Sequence, residues 1–262
     1  MARSPSGSWS SSAPADARLR DRLIVGLDVD STRAAARLIR RLGEVVRYYK
    51  VGKQLFVHGG PDVVRMVQAA GADVFLDLKF HDIPNTVAAA GVEAARLGVR
   101  LFNVHASGGL AMMEATAAAV ARVCRAEGLP RPQIIAVTVL TSLADRDLRQ
   151  VGIASRVEAQ VVRLARLAQR AGLDGVVASP REIAAVRRAC GPKFLIVTPG
   201  VRPAGADVND QKRVMTPGDA IAAGADHIVV SRPVLEASDP AQAANDIVTD
   251  MAGGAIRRRR RT

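Results

Sequence analysis

Chargeable side chains recur at the ends of short aliphatic runs along this 262-residue sequence. Asp28 follows LIVGL, Lys50 closes YYK with Lys53 just beyond, and VFLDLKF carries Asp77 and Lys79, with Asp82 shortly after. Asn103 and His105 end another run, Thr138 and Thr141 the next, Thr198 a later one, and Ser231 and Arg232 the last. A charge set in apolar sequence is costly unless an opposite charge or hydrogen bond offsets it. Taken singly, such a Lys or Asp reads as half of a structural ion pair. Several meeting at one mouth form an electrostatic site, where fixed charges stabilise charge that develops during a reaction. Arg202 in TPGVRP and Arg232 in VVSRP offer phosphate chemistry, because a guanidinium fork grips phosphate oxygens bidentately. The plainer reading of either arginine is a surface residue.

The elements that must position these groups repeat with a regular rhythm. Strand-like runs fall near residues 23–27, 45–51, 74–78, 100–104, 134–139, 175–178, 194–197 and 227–230. Each gap is long enough for a crossover helix, and Val157, Val161, Leu164, Leu167 and Ala168 show helical spacing. Thr216 followed by Pro217 reads as a helix start. Eight strands alternating with helices predict an α/β fold, a (β/α)8 TIM barrel over residues 21–252. The alternative is a doubly wound open sheet, but GLDVDS after the first strand has Asp28 where a dinucleotide turn needs glycine. In a barrel the groups named above all fall at the C-terminal rim, where active sites form. Arg202 and Arg232 then lie in the loops after strands seven and eight, a common place for a phosphate site. Pro233 can open a short helix there. The segment 199–215 exceeds the ~12–15 residues usual for a structureless loop and reads as a lid.

Composition bounds the rest. Hydrophobic residues make up 48% and charged residues 24%, the balance of a globular protein, while only 3% are aromatic, so the core must be aliphatic. No apolar stretch is long enough to span a bilayer and no signal peptide is apparent, which points to a cytoplasmic protein without a membrane partner. Cys124 and Cys190 lie in helical segments without metal-ligand spacing and read as packing residues. The histidines at 58, 81, 105 and 227 are scattered, so no metal is expected. Of the net charge of +12, Arg257 to Arg261 supply +5 and residues 1–20 supply +2. The body is therefore unremarkable, and no specific nucleic-acid partner is expected. Residues 1–20 read as a disordered tail, with a faint transit-peptide character, and 253–262 as a basic tail.

DLKFHDIPNTV at 77–87 resembles the signature of the orotidine 5′-phosphate decarboxylase family. Further blocks follow in the family's order: GLDVDS, YYKVGKQLF, NVHASGG, AVTVLTS, GLDGVVAS, TPGVRP, NDQKRVMTP and IVVSRP. The resemblance covers nearly all of residues 21–248 and neither tail. It implies a cofactor-free conversion of orotidine 5′-phosphate to UMP and carbon dioxide in pyrimidine synthesis. Lys79 matches the lysine that protonates the carbon losing the carboxylate, and Asp77 the carboxylate set against the leaving group. Lys50 and Asp28 match ribose contacts that complete the charge array. Asp82, Ile83 and Thr86 match residues that reach the neighbouring subunit's site, which implies a homodimer. Thr141 matches a contact to the base, Arg202 and Arg232 match phosphate contacts, and Gln211 matches a lid residue joining phosphate and base. Ser231 departs from the family's usual glycine, leaving its backbone N–H available to phosphate and adding a hydroxyl. Related barrel enzymes with an Asp-x-Lys-x-x-Asp pattern use Mg²⁺, but place an acidic ligand where this chain has Lys50.

Overall fold

A computed structural model describes residues 19–203 and 215–259. Eight parallel strands close into a barrel in sequence order: β1 (Leu23–Gly26), β2 (Tyr48–Gly52), β3 (Asp73–Phe80), β4 (Leu101–His105), β5 (Gln133–Val137), β6 (Gly175–Val177), β7 (Leu195–Pro199) and β8 (His227–Val230). Closure comes from β1 pairing with β8, Leu23 against Ile228. The (β/α)8 expectation holds, and the open doubly wound sheet is excluded.

Two apolar layers follow from the alternation of side chains along the strands. Ile24, Tyr48, Phe75, Leu101, Ile135, Val197 and Val229 fill the barrel interior. The opposite faces, among them Leu23, Val25, Val51, Leu76 and Phe102, pack beneath the surrounding helices. The helix Val157–Arg170 buries Val157, Val161, Leu164 and Ala168, as its spacing predicts. Thr216 caps Pro217–Ala223 by accepting from the Asp219 N–H at 3.1 Å. Both cysteines are buried on helices, where burial pushes their thiols up.

Among the boundaries that differ from the sequence reading, three have a clear structural reason. Gly43 ends the first long helix at a positive φ, and Gly43–Val45 form a 3-10 turn, so β2 begins at Tyr48 and not at residue 45. Leu19, placed in the expected N-terminal tail, is buried in the core; residues 1–18 lie outside the described residues. The last helix, Pro240–Arg259, runs well past the expected boundary at 252. Gly254 packs so closely on Gly218 that a Cβ would stand 1.9 Å from the Gly218 carbonyl oxygen. Arg257 ties the same helix to Asp219 at 3.1 Å. Tertiary packing thus overrides the weak helix preference of glycine.

Candidate active site

The strand ends deliver an alternating row of charge. Lys50 on β2 lies in register with Phe75 of β3, and its ammonium reaches Asp28 Oδ1 at 2.9 Å and Asp77 Oδ2 at 3.4 Å. Lys79 Nζ reaches the other side of the same carboxylate, Asp77 Oδ1, at 2.5 Å. The order Asp28, Lys50, Asp77, Lys79 therefore alternates in sign across three strands. Burial alone would lower the Lys50 ammonium, but Asp77 and Asp28 hold it above its ordinary value. Burial would raise the Asp28 carboxyl, but Lys50 and a hydrogen bond from the Ser231 hydroxyl keep it below the usual range. Both shifts favour the charged forms of Asp28 and Lys50.

Glycines make room for this row. A Cβ on Gly26 would lie 3.1 Å from both Asp28 Oδ2 and Lys50 Cε, and one on Gly52 would lie 3.0 Å from Lys50 Nζ. Lys79 carries a different local signature: its φ of 56° is the one positive value at a non-glycine among the described residues. Such a backbone costs on the order of 1–3 kcal/mol and persists where surrounding structure holds it, commonly at active sites. The hold here is Asn103, which is buried. Its Oδ1 accepts from the Lys79 N–H at 2.8 Å and its Nδ2 donates to Asp77 Oδ1 at 2.7 Å.

All four charged groups line one cavity of about 540 Å³ together with Thr141, Arg202, Ser231 and Arg232. Arg202 is itself buried, although its charge has to face a partner. Its backbone N–H donates to Met215 O at 3.1 Å, which pins together the two ends of the expected lid. Gln211 and the rest of that segment lie outside the described residues. Arg232 opens the short helix Arg232–Leu235, as Pro233 suggested. Val137, Val177 and Val229 supply apolar wall. Asp82, Ile83 and Thr86 do not line this cavity; all three are exposed, and Asp82 Oδ1 accepts from the Ile83 N–H at 2.6 Å.

Other strand-end residues divide. Thr138 does not line the cavity and donates to Val177 O at 2.8 Å, while Thr198 is buried. His105 stacks with His81 at 5.3 Å between centroids, and burial, reinforced by the charges of His81 and Lys79, pushes it down to about 4. Among the described residues no group of His, Cys, Asp and Glu is arranged to hold a metal ion. Sequence reasoning missed the spacing role of Gly26 and Gly52, and it named Asn103 only as a strand-end polar group. A buried amide inside NVHASGG was the available signal.

A closed parallel barrel with fixed, sign-alternating charge and two arginines in one rim cavity defines a barrel enzyme for an anionic substrate. The chain belongs to the orotidine 5′-phosphate decarboxylase / HUMPS family, whose model matches residues 21–247. It is 58% identical over 234 residues to the orotidine 5′-phosphate decarboxylase of Syntrophotalea carbinolica, covering 89% of this chain and 96% of that one. Identity to the enzyme of the same name from Geobacter sulfurreducens is 56% over 235 residues, covering 90% and 98%. Among solved structures, orotidine 5′-phosphate decarboxylase from Lactobacillus acidophilus superposes with a TM-score of 0.78 at 37% identity, covering 88% and 98%.

Proposed function

We propose that this chain decarboxylates orotidine 5′-phosphate to UMP and carbon dioxide in de novo pyrimidine synthesis. The observation that carries the reading is the unbroken contact from Asp28 through Lys50 and Asp77 to Lys79 inside the cavity that Arg202 and Arg232 also line. Breaking the bond from C6 to the carboxylate releases neutral carbon dioxide and leaves the electron pair in an sp² orbital that the ring cannot delocalise. The Lys79 ammonium, already oriented by Asp77, stabilises that pair without solvent reorganisation and then passes its proton to C6. Solvent returns the proton to Lys79. No redox step or electron sink is required, so the reaction calls for no cofactor.

Around this centre, Asp28 and Lys50 hold the ribose, Thr141 and Ser231 contact the nucleotide, and Arg202 and Arg232 grip the phosphate. Binding energy collected at the phosphate helps align the charges. The enzyme works as a homodimer in which Asp82, Ile83 and Thr86 complete the neighbouring site. Support for this is that the large apolar side chain of Ile83 is 67% exposed and stands outside its own chain's cavity. No described helix is long and apolar enough to cross a membrane, and a cytoplasmic location fits a pathway of water-soluble nucleotides. The residues 1–18 and 260–262 are assigned no part in turnover.

The test is a spectrophotometric assay with orotidine 5′-phosphate, run with and without EDTA. Turnover that survives the chelator is the expected result. Absence of turnover, or its loss to EDTA, contradicts the reading.

A further inference from the structure

We propose that Asn103 is a positioning residue for the reaction, coupling the Lys79 backbone to the Asp77 carboxylate so that ammonium and carboxylate arrive in register. The inference rests on the functional reading above and deepens it.

The starting point is a defect in the barrel wall. β3 and β4 pair Phe75 with Leu101 and Leu76 with Phe102, and pairing resumes only at Phe80 with Val104. Asp77, Leu78 and Lys79 thus oppose Asn103 alone, and the ladder between the strands is interrupted. A bulge of this kind strands backbone donors, and a buried N–H without a partner is costly. The Asn103 side chain takes over the role of the missing backbone acceptor. Its Oδ1 receives the Lys79 N–H at 2.8 Å, at the residue whose φ of 56° turns the chain into the left-handed region.

The other end of the amide fixes its orientation. The Lys79 N–H is only a donor and the Asp77 carboxylate only an acceptor, so Oδ1 must face the first and Nδ2 the second. Nδ2 donates to Asp77 Oδ1 at 2.7 Å, the same oxygen that Lys79 Nζ reaches at 2.5 Å. With 1% of its surface exposed, Asn103 is packed too tightly to turn away. One side chain therefore sets both the backbone angle that launches the Lys79 side chain and the carboxylate against which its ammonium rests. No other residue type of this size offers the same donor and acceptor pair: leucine has neither, and an ionised aspartate lacks the donor.

The experiment compares wild type, Asn103→Leu and Asn103→Asp for kcat and KM on orotidine 5′-phosphate across pH, with UMP affinity and thermal midpoint measured alongside. Asn103→Leu keeps the branching at Cγ but neither bond. Its kcat should fall on the order of 10²-fold through misplacement of Lys79, while KM and UMP affinity stay within about threefold. Asn103→Asp sets a second carboxyl beside Asp77, so the two share a proton at a raised apparent value. Once protonated, the new carboxyl can both donate to Asp77 and accept from the Lys79 N–H. Its kcat relative to wild type should rise as pH falls, a change that mere packing would not produce. The titratable groups around that position are Asp77 and Lys79 of β3, Lys50 of β2 with Asp28 beyond it, and His105 of β4.

Wild-type kcat in Asn103→Leu, or an Asn103→Asp profile that superposes on wild type, overturns the proposal. If Asn103→Leu does not fold, Asn103→Asp decides. Wild-type protein that leaves orotidine 5′-phosphate unconverted sinks the functional reading instead. The crystal structure of Asn103→Leu then decides separately: a negative φ at Lys79 supports the positioning role, and an unchanged φ overturns it.

Discussion

At the base of the barrel, where the strands begin, Asp226 accepts from the Ile196 N–H at 2.9 Å and from Arg187 at 2.6 Å, and Arg187 also donates to the carbonyl oxygens of Gly191, Phe194 and Gly224. Asp174 does the same for the Ile134 N–H and Arg131. At the mouth, Asp28, Lys50, Asp77 and Lys79 are bound chiefly to one another and face a cavity. Both ends hold charge out of bulk water, but they use it differently. Base charges are finished off by backbone groups at strand starts, so they fix register and closure. Mouth charges keep capacity for a ligand, and one of them sits on a strained backbone. Ion pairs alone therefore do not mark a site; what marks it is alternating sign, shared space and strain in one place.

Substitutions at the two ends should separate cleanly. The largest effect is expected from Lys79→Ala, which removes the proposed proton donor and its ammonium together. Its kcat should fall by about 10⁴-fold or more, on the order of 5–6 kcal/mol, with the thermal midpoint little changed. A Lys79→Ala variant retaining a tenth of wild-type kcat would return the mouth to the structural class of the base.

Arg232→Ala comes next. It should lower kcat/KM by roughly 3–4 kcal/mol, because in the proposed reading phosphate binding supports alignment of the charges as well as affinity. Steady-state kinetics on orotidine 5′-phosphate measures it, and unchanged constants would remove Arg232 from the phosphate site.

The base should answer to pH through stability and leave turnover alone. His227 lies edge-on to Tyr48 at 5.8 Å, and burial, helped by the charges of Arg100 and Arg22 against that of Asp226, lowers it to about 4. The folded chain thus keeps His227 neutral while the unfolded chain takes up a proton near pH 6.5. Stability from this residue is complete above that pH and is lost as pH falls toward 4, by on the order of 3 kcal/mol. Urea midpoints of wild type at pH 7 and 5, compared with His227→Phe, check this. The variant should show a flatter dependence and near wild-type kcat; an equal slope would clear His227 of the effect.

Ser231→Gly should have the smallest consequence. It deletes the hydroxyl bonded to Asp28. A KM change of less than about 1 kcal/mol with constant kcat is expected from one partly exposed hydrogen bond. A large fall in kcat would give Ser231 a role at the reacting end.

Much of this contrast was legible in the sequence. Aliphatic runs placed all eight strands, because strands buried on both faces leave a continuous apolar trace. Polar residues ending those runs marked the rim, and Asp28, Lys50, Asp77, Lys79, Thr141, Arg202, Ser231 and Arg232 do meet in one cavity. What stayed hidden depends on neighbours remote in sequence. Nothing local to DLK announces a left-handed lysine, since the bulge arises from pairing with β4. The role of Asn103 is invisible without that bulge. Likewise the close approach of Gly254 to Gly218, within the helix that runs past the expected boundary at 252, joins positions far apart in sequence.

The central claim is that the sign-alternating row and the two arginines act on one nucleotide. A crystal structure of the protein with UMP tests it most directly. The phosphate should lie between Arg202 and Arg232, with Lys79 Nζ about 3–3.5 Å from C6 of the uracil ring. A UMP molecule whose ring lies away from Lys79, or whose phosphate touches neither arginine, would contradict the account.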